Sequence, residues 1–155
     1  MAADIRVDGV DEWDAAVDAL LARVGAATGK AVDGGLALIA RAAQQNLTFY
    51  SHPRGTPTPS APGEPPALIS GALRRSIKIR RTKNGPTLYE GRVGPTIVYA
   101  RIQELGGRLG QNPRHGMWRQ GGYLPPRPYF RPAADNARPK VQSLFRDAWA
   151  DALRG

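Results

Sequence analysis

Six prolines fall between Pro53 and Pro66, in the run SHPRGTPTPSAPGEPPA at residues 51–67. Each removes a backbone donor and fixes φ near −65°, so neither a helix nor a central strand can pass through. The run holds no large apolar side chain and reads as an extended, mobile proline-rich loop. The core must therefore come from the segments on either side of it. A second interruption, GRLGQNPRHGMWRQGG at residues 107–122, is glycine-rich, basic and carries Trp118. The 155 residues suit one domain, 1–155, with these two loops as excursions from it. With no cysteine in the chain, that domain holds together without disulfides or thiolate metal sites.

Before the proline run the apolar positions have helical spacing. Trp13, Val17, Leu20, Leu21, Val24, Val32, Leu36, Ile39, Ala43, Leu47 and Tyr50 recur three or four apart. Asp11 is placed as an N-cap, with Glu12 and Asp14 in the favourable first turn. Gly25, Gly29, Gly34 and Gly35 each weaken the middle by about 1 kcal/mol relative to alanine. Two readings follow: a helix broken or bent near 25–35, or a smooth stretch that lets another chain come close.

After the run the period changes. Leu68–Leu73 suits one short helical turn. Ser76–Thr82 alternates, Ile77 and Ile79 on one face and Lys78 and Arg80 on the other, as in a half-buried strand. Asn84-Gly85-Pro86 supplies a turn, and Thr87–Gly94 returns as the second strand of a β-hairpin over about 75–94. Thr96–Leu105 reads as a short helix stopped by Gly106-Gly107. Tyr123–Phe130 is extended because of Pro125, Pro126 and Pro128. Pro132 then opens a C-terminal helix at a first-turn position. Its stripe is Val141, Leu144, Phe145, Ala148, Trp149 and Leu153, and Pro139 is expected to kink it or delay its regular part. The fold class is α+β: a long N-terminal helix, a small antiparallel sheet built on the hairpin plus the segment near 123–130, a short helix near 96–105 and a C-terminal helix.

Catalytic constellations are not apparent. His52 and His115 both lie in Gly/Pro-rich loops, a poor base for a general base or a ligand pair. No G-x-S-x-G, Walker A or H-E-x-x-H pattern occurs. Gly106–Gly110 is glycine-rich but follows a helix rather than a strand, unlike a phosphate cradle. Glu90, Glu104 and Asp135 share no metal or acid–base spacing. The expectation is a protein that is not an enzyme and needs no cofactor. The acidic N-terminus, MAADIRVDGVDEW, does not read as a secretory signal, and no apolar run approaches the roughly 20 residues that span a bilayer, so no membrane partner is expected.

Three short segments stand out in order: Ser70-Gly71-Ala72-Leu73-Arg74-Arg75-Ser76-Ile77, Tyr99-Ala100-Arg101-Ile102-Gln103-Glu104-Leu105-Gly106 and Pro126-Arg127-Pro128-Tyr129-Phe130-Arg131-Pro132-Ala133. Behind a helix and a proline-rich loop, over roughly residues 12–153, they resemble the tail-completion and head–tail joining (minor tail, neck) proteins of tailed bacteriophages. That family carries T/S-G-x-L-x-x-S-I before a hairpin, a Y-A-x-x-x-E-F/Y-G helix, and A/P-R-P-F-L/F-R-P-A before the last helix. Leu105 departs from it, standing where an aromatic residue is usual, and the two loops are long.

The resemblance implies a structural virion component assembled in the host cytoplasm. Its partners would be copies of itself in a ring and other neck and tail proteins, such as a head-closure protein, a tail terminator or a tail tube protein. Gly71 and Gly106 would permit tight turns, Tyr99 and Phe130 would pack the short helix and the final helix onto the sheet, and Leu73, Glu104, Pro128 and Pro132 complete the matched positions. Arg127 and Arg131, stiffened by their prolines, and Trp118 are the interface candidates outside the charged regions.

Charge is divided along the chain. Residues 1–50 carry seven acidic and four basic side chains, a net −3, and residues 51–155 carry six acidic and eighteen basic ones, a net +12. Arg74, Arg75, Lys78, Arg80, Arg81 and Lys83 crowd ten residues in and around the first strand. Such a face either is solvated and keeps other strands away, or meets the acidic helix (Asp11, Asp14, Asp18) of a neighbouring copy, or lines a lumen through which DNA passes. The alternative function, from the same charge, is a stand-alone nucleic-acid-binding protein that ignores base sequence.

Overall fold

The computed structural model describes residues 8–48, 60–83, 88–108 and 122–154. The hairpin turn at Asn84–Pro86, His52, His115 and Trp118 lie outside the described residues, as do residues 51–59 and 109–121 of the two loops.

The first helix, α1 (Val10–Asn46), is unbroken over 37 residues. Its cap is Gly9, in a left-handed conformation and two residues before the expected Asp11, which lies with Glu12 in the first turn instead. The glycines do not break it, and Gly29, Gly34 and Gly35 each lie where another element presses in. A Cβ on Gly29 would stand 3.0 Å from the Tyr89 ring, one on Gly34 3.3 Å from Leu144 and one on Gly35 3.1 Å from Val141. Their propensity cost is offset by close packing, and the chain that approaches is this one.

The rest of the chain is laid along α1. A single turn, α2 (Ala72–Arg75), lies slightly later than Leu68–Leu73 and leads into β1 (Ile77–Lys83). Strand β2 (Tyr89–Pro95) returns antiparallel, with Ile79 opposite Val93 and Arg81 opposite Gly91. This inner face rests on α1. Gly91 is the closest approach, since a Cβ there would collide with Leu36 and stand 3.1 Å from Val32. Helix α3 (Ala100–Leu105) is shorter than expected and is followed by β3 (Gly107–Arg108). The extended segment pairs through β4 (Tyr123–Leu124) with β3, in a separate two-stranded ladder instead of joining the hairpin.

The last helix, α4 (Phe130–Arg154), runs antiparallel to α1. Asn46 bonds to Tyr129, Gly35 meets Val141, the Trp149 indole N–H donates to Thr28 at 2.9 Å, and Arg23 Nε donates to the Ala152 carbonyl at 3.3 Å. Pro139 lies inside α4 without ending it, on an exposed side where the carbonyl freed by its missing N–H is open to solvent. Among the described residues no helix is long and apolar enough to cross a membrane.

The core gathers at one end of the α1–α4 pair. Ala40, Ala43, Leu47, Ile77, Tyr129 and Ala133 are buried there, with Leu73, Ile79, Val93 and Phe130 packed around them. Part of the proline-rich run joins this end instead of standing free. Ser60 and Pro66 are buried, and Gly63 N–H donates to the Pro126 carbonyl at 2.9 Å.

Because Gly91 lets the hairpin lie flat on α1, Gly91→Val is expected to force the two apart. Overpacking of this kind costs about 1–3 kcal/mol, to be read as a lower urea midpoint with an unchanged slope.

Candidate functional site

The N-terminus of α4 presents three backbone donors with no acceptor inside the helix. No Ser, Thr, Asp or Asn precedes it: the chain reads Pro-Arg-Pro-Tyr-Phe-Arg-Pro. The acceptor comes from α3. Glu104 Oε2 accepts from the N–H groups of Tyr129 and Phe130, both at 2.9 Å, and Oε1 accepts from Arg131 at 2.8 Å. Pro132 comes next and has no N–H to satisfy. One carboxylate thus answers every free donor of the first turn and sits at the positive end of the helix dipole.

Further bonds hold this joint. Arg127 N–H donates to the Gln103 carbonyl at 2.8 Å, and Asn46 Nδ2 donates to the Tyr129 carbonyl at 2.8 Å. Gly106, with φ +70°, turns the chain out of α3, and a Cβ there would stand 2.7 Å from the Leu124 carbonyl oxygen. Tyr129 is fully buried and its hydroxyl has no partner. Burial raises the phenol pKa well above its ordinary value, helped by the nearby Glu104 carboxylate and by Tyr99. Tyr129 is therefore a neutral packing residue.

Several sequence expectations change here. Arg127, proposed for an interface, is buried at 7 % exposure and does not belong to the surface, because the turn that fixes its backbone on Gln103 carries its side chain inward. Arg131 is exposed as expected. Tyr99, expected to pack on the sheet, is 39 % exposed, and the neighbouring Tyr129 supplies the buried ring, edge-to-face with Phe130. Glu104, earlier one carboxylate among scattered ones, is the cap. The available signal was a helix start with no capping residue of its own, which demands an acceptor from elsewhere. Gly71 does take a left-handed turn, at φ +70°, and Leu73 and Phe130 do pack on the core. Pro128 is half-buried within the joint.

The basic hairpin is divided by its pleat. On the inner face Arg81 pairs with Asp33 of α1 in the same chain, so part of the acid–base match foreseen between copies is made internally. On the outer face Lys78 and Arg80 are exposed, and Arg80 stands directly opposite Arg92, which is held by Glu90 at 2.7 Å. Arg74 and Arg75 are exposed on α2.

Among the described residues apolar surface stays uncovered at both ends of α1, and also on α4, where Trp149 and Leu153 are exposed beside Val141 and Phe145. Near the joint, Ile69, Val98, Tyr99 and Leu105 are 39 to 95 % exposed. They border shallow cavities of about 280 Å³, reaching Leu47 and Leu73, and about 440 Å³, reaching Ile102. At the other end, α1 runs on past the end of α4. Arg23 already meets Ala152, and the residues before it carry Trp13 at 65 % and Leu21 at 47 % exposure, beside the exposed Asp11, Asp14 and Asp18. Comparisons of the chain with models of protein families, with curated proteins and with solved structures find no match.

Removing the cap should loosen α4 at its start. Glu104→Ala is expected to lower stability by about 1–3 kcal/mol, as for hydrogen bonds to a charged group. Glu104→Gln, which keeps one acceptor oxygen, should lose less. Amide exchange at Phe130 and Arg131 should rise in both variants, and unchanged exchange would refute the capping role.

Proposed function

We propose that this chain is a non-enzymatic structural subunit of a tailed-phage particle, forming or joining a ring at the head–tail junction during assembly. The observation that carries the reading is that the three motifs behind the resemblance meet in one place. Leu73 and Ile77 of the first pack with Tyr129, Phe130 and Ala133 of the third, and Glu104 of the second holds the third by its backbone. Segments far apart in the chain thus have a shared reason to occur together. That body is stiff where the motifs meet, and it leaves apolar surface uncovered at both ends, as a subunit does when its partners arrive during assembly. In this reading the partners are copies of the chain in a ring and other neck or tail proteins, and the mechanism is geometric: the joint fixes the angle at which contact surfaces are offered.

A second reading, sequence-independent contact with nucleic acid, is favoured by Arg80 lying opposite Arg92 on the outward sheet face. Glu90 already holds Arg92, so the exposed Arg80 is the charge of that pair that a phosphate would meet. It is compatible with a ring through which DNA passes.

Two measurements test these readings. Mass spectrometry of purified particles made by the genome that encodes this chain should detect the polypeptide, and deletion should leave heads and tails unjoined in electron micrographs. Its absence from particles would overturn the structural role. For the second reading, filter binding of duplex DNA should weaken steeply with salt, and Arg80→Glu should weaken it further at low salt; no binding near about 0.1 M salt removes that reading, since unspecific contact at the Debye length there, about 10 Å, is still effective.

A further inference from the structure

Among the described residues no other element covers the projecting part of α1 along its length. Residues 10–16 are all exposed, and only Val17 and Leu20 are partly covered before residue 22. At 1.5 Å per residue, residues 10–21 form an arm about 18 Å long. Its apolar residues Trp13, Val17, Leu20 and Leu21 follow helical spacing and so form one stripe. Asp11, Glu12, Asp14 and Asp18 surround it. The opposite end is mainly basic: Ile69, Val98, Tyr99 and Leu105 are exposed beside the exposed Arg74, Arg101 and Arg131, while the exposed carboxylate Asp135, which lines a cavity with Leu105 and Arg131, is paired with Arg138 at 2.9 Å. Val98 is 95 % exposed, an unusual position for a β-branched apolar side chain with no partner.

One molecule cannot bring these surfaces together. They lie at opposite ends of α1, whose 37 residues make a rod about 55 Å long. We infer that the acidic N-terminal arm of one copy docks on the basic, apolar joint end of the next, in a head-to-tail contact. Charge complementarity selects this occupant. Two arms packed on each other would match their stripes but crowd four carboxylates per chain together, whereas arm on joint end sets acids against arginines. A contact of this kind uses two different surfaces, so it propagates into a closed ring or a filament and does not stop at a symmetric dimer. The inference deepens the ring reading above and depends on it only for the biological setting.

The absence of cysteine from the chain makes disulfide trapping clean. Ala16→Cys marks the arm and Val98→Cys marks the joint end; both positions are exposed, so neither change disturbs the core. The two full-length variants, mixed under oxidising conditions at low ionic strength, should yield disulfide-linked pairs several-fold above either variant alone. Yield should fall at about 1 M salt, where the screening length is about 3 Å. Adding Trp13→Ala to the arm variant should lower it several-fold while the circular dichroism stays unchanged. The inference is overturned if the mixture gives no more than the separate variants. It is equally overturned if Ala16→Cys pairs with itself and gains from salt, the signature of arm-on-arm packing. Trapping by a chain absent from particles would leave docking standing and remove the phage reading; particles that contain the chain without trapping would do the reverse.

Discussion

At the start of α4 three backbone N–H groups point away from any acceptor in their own helix, and a carboxylate twenty-five residues upstream takes all three. Most of the structure depends on this bond set. It ties α3 to α4, and α3 in turn holds the extended segment through Gln103 and Arg127. Since α4 lies along α1 over most of its length, the angle set at Glu104 also sets how Val141 and Leu144 reach the glycines of α1. A local N-cap would have stabilised the helix without fixing where it stands. A cap supplied from another element does both, because the bonds form only when the two elements are correctly placed.

Close approach is the second constraint. The α1 glycines cost helix propensity and admit Tyr89, Leu144 and Val141, and Gly91 plays the same part from the sheet side. The result is a two-helix pair with a hairpin pressed on its flank, its core concentrated at one end and made largely of alanines. An alanine-lined contact buries little area per residue, roughly 25 cal/mol for each Å² removed from water, so depth is supplied by Leu47, Ile77 and the fully buried Tyr129. Among the described residues the other end of α1 receives no such cover, and Trp13 and Leu21 of its apolar stripe stay exposed.

Charge follows the same division. The acidic part of the sequence becomes the exposed arm, and the basic part becomes the hairpin's outer face and the surface around the joint. Asp33 and Arg81 join the two halves by an ion pair inside one chain, and being exposed they contribute little by themselves. Other carboxylates pair close by in the chain, Glu90 with Arg92 and Asp135 with Arg138, while Asp11, Asp14 and Asp18 of the arm lie a helix length away from the joint.

The elements themselves were legible in the sequence, since local periodicity and proline placement depend only on near neighbours. The long helix, the alternation at Ile77 and Ile79 and the stripe of α4 all appear where the pattern put them. Tertiary structure alone decided the rest. Whether Gly25–Gly35 would break α1 depended on what packed against it. Whether the segment at Tyr123 would join the hairpin depended on Gly107 and Arg108 being nearer. Arg127 turned inward and Tyr99 outward because Glu104 and Gln103 fixed the backbone between them. Spacing along a chain reports which side chains share a face; which face meets which is set by contacts between residues far apart in sequence, and those no local pattern contains.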